Sequence, residues 1–184
     1  VFDEVFAQLG QLRDVPEVQT VHDYHDHPAY IAALENSVRR HWETKGRGDH
    51  LMLSFHGLPQ KCVDQGDPYQ AQCKVTSRLL AEALQLRDEE WTLCYQSRVG
   101  KAKWLQPYTE DVLVSLAQRG VKKLDAICPG FSADCLETLE EVSERYGEQF
   151  HAAGGETLRY IPALNAHADH IDVLRAVLAQ AGLN

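Results

Sequence analysis

Short apolar runs alternate along this chain with longer stretches in which apolar residues recur at helical spacing. The apolar runs are compact and are bounded by polar, turn-forming residues, which is typical of buried strands. They predict strands at residues 50–55, 91–96, 123–128 and 157–161, with residues 18–22 as a possible first strand.

The amphipathic stretches predict helices between these strands. In one of them, Tyr30, Leu34 and Val38 recur at helical spacing behind Pro28, which suits a first helical turn. The chain also opens on a helical pattern, VFDEVFAQL. The longer predicted helices cover residues 28–45, 69–86, 109–119, 133–151 and 166–181.

Strands that alternate with helices of this length indicate βαβ units. We therefore expect a parallel sheet flanked by helices, an α/β, Rossmann-like, three-layer domain over residues 1–184. In an open parallel sheet, ligands bind beyond the carboxyl ends of the strands. The chemistry is thus expected in the loops at residues 56–68, 97–107, 129–134 and 162–167.

Composition limits the classes of function. The net charge of −9 repels nucleic acid and anionic membranes and suits a cation or a neutral substrate, although solubility alone also explains it. No apolar run approaches the length of about 18 residues that a membrane span needs. The five cysteines lack CxxC spacing, which argues against a disulfide framework and favours the cytoplasm. Because the chain begins on Val1 and not on Met, we expect a fragment of a longer protein.

The first of the four loops begins with His56, directly after a predicted buried strand. A rigid strand end fixes the position of the imidazole, which can accept a proton or bind a divalent metal ion. The alternative is a capping or core histidine that backbone groups satisfy. In the same loop, Asp67 before Pro68 is a turn and helix-start signal with a structural role.

The second loop carries a Gln-Ser-Arg triplet and then Trp104. An aromatic side chain on a polar loop can stack on a flat ligand, and it can also cover the edge of the core. Arg98 could pair with a carboxylate of a ligand or of the protein itself. We favour the second role, an ion pair that bridges loops. Thr109 is predicted to cap the following helix.

The third loop leads into an acidic helix, for which Ser132 is the predicted N-cap. Glu137, Glu141 and Glu144 are spaced to share one face of that helix, as a solvated acidic face or as a guide for a hydrated cation. The predicted packing side of the same helix consists of Leu136, Leu139 and Val142.

Other metal-ligating residues are interpreted structurally. The HDYHDH segment at residues 22–27 lies in a polar stretch before a helix, so we expect a surface loop. His167 and His170 are expected to face solvent. The spacing of the cysteines matches no iron–sulfur motif.

Five motifs in this order resemble the C-terminal half of the ferrochelatase family, most closely its bacterial members. They are FHGLP, GDPY, the QSR-x-G…WL-x-P-x-T stretch, the run PGFSADCLETLEE and I-P-x-L-N, and the resemblance covers roughly residues 20–180. It implies a chelatase-type fold of two similar α/β domains with a porphyrin cleft between them. This chain would be the second domain, and the N-terminal domain would be its partner.

The resemblance implies that His56 and Glu137 are the catalytic and metal-handling residues. It also implies that Trp104 and Phe131 contact the porphyrin, and that Glu141, with Asp134 nearby, marks a metal route. Many members carry a second histidine two residues before the glutamate, where this chain has Cys135. The cysteine-rich tail that binds an iron–sulfur cluster in some members has no counterpart, so we expect no cluster.

The activity so implied is insertion of Fe²⁺, as a substrate, into protoporphyrin IX to form protoheme, the last step of heme biosynthesis. The fragment alone would then be inactive, because it faces only half of a cleft. Two alternatives remain open at this point. One is a chelatase that inserts cobalt or nickel into another tetrapyrrole, and the other is a non-catalytic α/β module that binds metal.

Overall fold

Four parallel strands form the single sheet of the described structure. A computed structural model describes residues 2–182, so Val1 and residues 183–184 lie outside the described part. The strands are β1 (His50–His56), β2 (Trp91–Gln96), β3 (Lys123–Ile127) and β4 (Thr157–Ile161), in the spatial order β2-β1-β3-β4. Every neighbouring pair is parallel, which confirms the α/β class with a parallel sheet.

Helices cover both faces of this sheet. They are α1 (Phe2–Leu9), α2 (Pro28–Lys45), α3 (Gln60–Asp64), α4 (Tyr69–Ala83), α5 (Thr109–Gln118), a π-helix (Glu137–Arg145), α6 (Tyr146–Ala152) and α7 (Ala168–Gln180). Helices α2, α4 and α7 pack on one face, whereas α5, the π-helix and α6 pack on the other. Among residues 2–182, every helix is too short or too polar to cross a membrane.

The central strand β1 is buried on both faces, which explains its continuous apolar sequence. Leu53 and Phe55 point to the α2 side of the sheet, and Met52 points to the α5 side. His56, two residues beyond Ser54, shares the α5 side because strand side chains alternate.

The order of the strands creates a crevice at the carboxyl edge of the sheet. From β1 the chain crosses to β2 on one side, and from β3 it crosses to β4 on the other. The loops after β1 and β3 therefore diverge, and ligands bind at such switch points in open α/β sheets. His56 and the segment that contains Phe131 flank this crevice.

The possible first strand at residues 18–22 is wrong, because this segment is irregular. Val18 remains 40% exposed, and the segment pairs with none of the four strands.

The helix predicted to reach residue 86 ends at Ala83, and Gln85 follows with a φ of 57°.

The long helix predicted at residues 133–151 is two elements, and it begins later. Residues 131–135 are irregular, Leu136 precedes the π-helix, and α6 completes the segment. Ser132 is therefore not an N-cap. The side chain of Asp134 explains the delay, because it is hydrogen-bonded to the Tyr160 hydroxyl and to the Asn165 amide and holds the chain in a loop.

Several side chains also point elsewhere than the sequence predicted. Thr109 is no cap, because its buried hydroxyl lies 3.1 Å from that of Ser54 and the cap position is Tyr108. Leu136 and Leu139 are 74% and 51% exposed, so of the predicted packing side Val142 alone is buried. His170 is not solvent-facing but buried, and its Nδ1 lies 2.6 Å from the Asn165 carbonyl oxygen.

A buried ion pair on the α2 side connects the sheet to the end of α2. Asp125 in β3 is 1% exposed and lies 2.6 Å from Arg159 of β4. Its other carboxylate oxygen accepts hydrogen bonds from the Trp42 indole (2.7 Å) and from the Gly48 amide (2.9 Å). Arg159 in turn donates to the carbonyl oxygens of Lys45 and Gly46.

We expect Asp125→Ala to lower the free energy of unfolding by about 3 kcal/mol, because it leaves a guanidinium and an indole N–H without their acceptor. Urea denaturation of the natural protein measures this change. Asp169→Ala is the matched control, since its pair with Arg40 is only partly buried, with side chains 42% and 26% exposed, and should contribute about 1 kcal/mol or less. Equal losses in the two variants would contradict the assignment of Asp125 as the central acceptor.

Candidate active site

His56 is the last residue of β1, and the backbone fixes its ring. Its Nδ1 lies 2.7 Å from the Gly57 carbonyl oxygen. Because a carbonyl oxygen can only accept, Nδ1 carries the hydrogen, and in the neutral ring the lone pair is on Nε2. The Tyr69 hydroxyl donates to the His56 carbonyl oxygen (3.0 Å) and fastens α4 to the same strand end. The half-buried imidazole is thus held as a proton acceptor or metal ligand.

Trp104 lies beside Gly57, the residue after this histidine, because the second loop folds back onto the first. Leu105 donates to the Leu58 carbonyl oxygen (2.9 Å), and the Trp104 indole N–H donates to the carbonyl oxygen of Val99 (3.0 Å). A Cβ at Gly57 would lie 2.9 Å from the Gln96 carbonyl oxygen and 3.1 Å from the Trp104 ring. Glycine is therefore required at position 57 for the close approach of the indole.

Phe131 closes the other side of the crevice. Its ring centroid lies 6.4 Å from that of His56, with an angle of 50° between the two planes. The ring is half-buried and packs against the core on the α5 side of the sheet. The structure thus places Phe131 next to His56 and Trp104 next to the adjacent Gly57, and the sequence analysis had singled out both aromatic side chains.

Gln96 connects the strand ends to the acidic helix. It is 1% exposed, and in the sheet it is the β2 partner of His56. Its side-chain oxygen accepts a hydrogen bond from Ser54 (2.7 Å), and its amide donates to the Glu137 carbonyl oxygen (3.3 Å). The start of the π-helix is thereby fixed next to His56.

Glu137 is the first residue of the π-helix and is half-buried. Hydrogen bonds from the Cys135 thiol and from the Glu137 backbone amide lower the pKa of Glu137 below its usual value, and nearby His56 adds to this effect when its ring is protonated. The carboxylate is therefore ionised at neutral pH and can attract a cation or a proton from the adjacent crevice.

Asp134 acts as a structural anchor for the third loop. Besides Tyr160, its carboxylate accepts hydrogen bonds from the Ala163 amide (3.1 Å) and from the Thr138 hydroxyl (3.2 Å). Burial alone would raise the pKa of Asp134, but these donors hold it below its usual value. The side chain is thus engaged within the protein, between the loops after β3 and β4.

The three glutamates predicted to share one face do not do so. Glu137 is half-buried, Glu141 is only 6% exposed, and Glu144 is exposed. An i, i+4 alignment holds for an α-helix, whereas a π-helix has i→i+5 hydrogen bonds and a wider turn. Glu141 consequently points inward, where it contacts Ser97 and Tyr146.

Two other candidates have the structural roles that we favoured for them. Arg98 lies 3.7 Å from Glu110 and stacks over the Tyr108 ring, so it bridges the second loop to α5. Asp67 accepts a hydrogen bond from the Tyr69 amide at the start of α4.

The HDYHDH segment is a loop before α2, as expected. Its Asp23 carboxylate lies 2.6 Å from His22 and 2.7 Å from His25, and Thr76 of α4 fastens the loop by donating to the His25 carbonyl oxygen. Within residues 2–182, three potential ligand atoms come within 4.8 Å of one another at Asp23, His25 and Asp26. His56 and Glu137 belong to no such group, so their site is open rather than closed around an ion.

A cavity of about 200 Å³ lies on the α2 side of the same sheet edge. Phe55, Tyr69 and Gly130 contribute to its lining, which does not include His56. The residues flanking this cavity and those around His56 are on opposite faces of β1, so the two features are distinct.

Sequence reasoning missed the connecting residues of this site. Gln96 and Ser97 were noted only as part of a triplet, and no partner could be assigned to them. The signal that was available is that a glutamine ends a buried strand, since a buried polar side chain needs hydrogen-bonding partners.

Comparisons with known proteins agree with this architecture. The family model described as Ferrochelatase matches residues 1–181. The ferrochelatase of Aeromonas hydrophila subsp. hydrophila is 49% identical over 180 residues, which cover 98% of this chain and 56% of that protein. The ferrochelatase of Teredinibacter turnerae is 52% identical over 177 residues, or 96% of this chain and 48% of that protein. The chain spans about half the length of the curated relatives it matches.

We expect Gly57→Ala to destabilise the natural protein by about 1–3 kcal/mol, because the added methyl group would overlap backbone at Gln96 and displace the Trp104 ring. Gly147→Ala in α6 is the control, since nothing lies within 4 Å of a Cβ at that position. Alanine should there be neutral or stabilise the helix by up to about 1 kcal/mol. Equal behaviour of the two variants in urea denaturation would show that the indole does not need glycine beside it.

Proposed function

The chain belongs to the ferrochelatase family, and we propose that it is the C-terminal domain of an enzyme that inserts ferrous iron into protoporphyrin IX. One observation carries the proposal. An imidazole with a free Nε2 lies at the switch point of the sheet, near an ionised carboxylate, with Phe131 beside it and Trp104 against the adjacent Gly57. The product is protoheme, in the last step of heme and porphyrin biosynthesis.

The reaction exchanges two pyrrole N–H protons for one Fe²⁺. It needs a proton acceptor, ligands that replace the water around the ion, and walls that hold the macrocycle in a bent shape. Bending exposes the inner nitrogen lone pairs, and binding energy from the rest of the macrocycle offsets the strain.

His56 and Glu137 supply the first two of these requirements. With Nδ1 engaged by the Gly57 carbonyl group, Nε2 of His56 accepts a pyrrole proton or binds the iron. Glu137, whose pKa is lowered by the Cys135 thiol, is its partner as a metal ligand or as a proton relay.

Trp104 and Phe131 supply one wall of the pocket. Both are half-buried, so each offers part of its ring to a flat ligand. The N-terminal domain of the whole protein would supply the opposite wall, so the present chain by itself would be inactive.

The proposed location is the cytoplasm. The five cysteines are free thiols, which is consistent with a reducing compartment. We propose no iron–sulfur cluster, because Cys73, Cys94 and Cys128 are buried in the core and the spacing of the five cysteines matches no cluster motif. The net charge of −9 favours a cation such as Fe²⁺ over nucleic acid as a partner.

His56→Ala in the full natural protein should lower kcat for iron insertion by about 10²–10⁴-fold, the usual contribution of general acid–base catalysis. His151→Ala is the control, since that imidazole is exposed in α6. A rate for His56→Ala within about threefold of wild type would refute the catalytic assignment. Running the wild type with Co²⁺ and Ni²⁺ in place of Fe²⁺ separates ferrochelatase activity from that of other metal chelatases.

Glu137→Gln should reduce turnover by a similar factor, about 10²-fold or more, while porphyrin binding is mostly kept. The amide retains the shape of the side chain but neither the charge nor a basic oxygen. Glu144→Gln removes a charge from the exposed side of the same helix and should leave both quantities unchanged. Loss of porphyrin binding without a change in kcat would instead indicate a structural role for Glu137.

Divalent metal binding that persists in both His56→Ala and Glu137→Gln, without turnover in the wild type, would favour a metal-storage module.

A further inference from the structure

We propose that Glu141 is a positioning residue whose buried carboxylate fastens the loop of Trp104 to the π-helix of Glu137. The inference rests on the proposed function for its effect on porphyrin, but its structural part is independent of that function. It assigns to Glu141 a role different from the metal route that the family resemblance implies.

The carboxylate of Glu141 is fully engaged inside the protein. Its Oε2 accepts a hydrogen bond from the Ser97 hydroxyl (2.6 Å), and its Oε1 accepts one from the Ser97 amide (3.1 Å) and one from the Tyr146 hydroxyl (2.8 Å). The Arg145 guanidinium lies 3.5 Å from Oε1. With 6% exposure, the side chain has little access to a hydrated ion, and the neighbouring positive charge would repel one.

Ser97 has a backbone conformation that needs such support. Its φ of 62° lies in the left-handed region, which is unfavourable for a residue with a side chain. Conformations of this kind persist only where surrounding contacts hold them. Glu141 binds both the amide and the hydroxyl of Ser97, so it stabilises the turn by which the chain leaves β2.

That turn determines where Trp104 lies. The loop begins at Ser97, and the indole N–H closes it on the Val99 carbonyl oxygen. Glu141 also lies four residues beyond Glu137 in the same π-helix. One carboxylate therefore connects the aromatic wall and the reactive carboxylate, so that the two keep a fixed separation.

Glu141→Gln and Ser97→Ala in the full natural protein test this connection, with Glu144→Gln as the control. Amide hydrogen exchange of residues 98–104 should accelerate by about 10- to 100-fold in the first two variants, because each loses a hydrogen bond to a charged group. Exchange in the double variant should be only slightly faster than in Glu141→Gln alone, since the two substitutions disrupt the same interaction.

Steady-state kinetics give the second readout. We expect KM for protoporphyrin to rise by about three- to tenfold in both variants, with KM for Fe²⁺ unchanged, because the aromatic wall and not the metal path is loosened. A rise in KM for Fe²⁺ with normal exchange in residues 98–104 would overturn the proposal in favour of a metal route. Unchanged exchange in both variants would also overturn it.

The proposed function and the structural role of Glu141 can be refuted separately. If the wild-type protein inserts no iron, the proposed function is wrong, yet the exchange measurement still decides whether Glu141 fastens the loop. Ser97→Ala retains the amide hydrogen bond to Glu141, so it is the milder variant and serves if Glu141→Gln does not fold.

Discussion

The burial of β1 on both faces, with a hydrogen-bonded strand on each side, is the constraint from which the rest of this structure follows. A strand so enclosed must be apolar along its length, and only its last residue is free for chemistry. That residue is His56. Since the chain crosses from β1 to β2 on one side and from β3 to β4 on the other, the space beyond His56 is a crevice between diverging loops.

Much of the fold follows from sequence, because each strand and helix carries its own periodic pattern. The strands at residues 50–56, 91–96, 123–127 and 157–161 were predicted within one residue, since buried strands are short continuous apolar runs. The segment at residues 18–22 has the same local composition but no neighbouring strand, and a β-strand depends on its neighbour. The π-helix could not be predicted either, because Asp134 and Gln96 hold its start through partners that are distant in sequence.

The candidate site, like the fold, could be predicted from the sequence only in part. The positions of His56, Trp104 and Phe131 at one edge follow from where strands end, and the structure brings them together. The contact between Ser97 and Glu141 depends on the π-helical geometry of one segment. α-Helical spacing predicted a solvated face there, whereas in the structure Glu141 is buried and hydrogen-bonded to Ser97. Local pattern and family resemblance thus led to the candidate site residues, whereas the residues that support them could not be predicted.

The buried ion pair of Asp125 and Arg159 has a consequence for how this domain can vary. It joins β3, β4 and the end of α2 on the amino side of the sheet, remote from the loops beyond His56. This anchor therefore lies away from the edge where ligands would bind, and substitutions in the edge loops leave it in place. Such a division allows the loops to diverge over evolution while the scaffold persists.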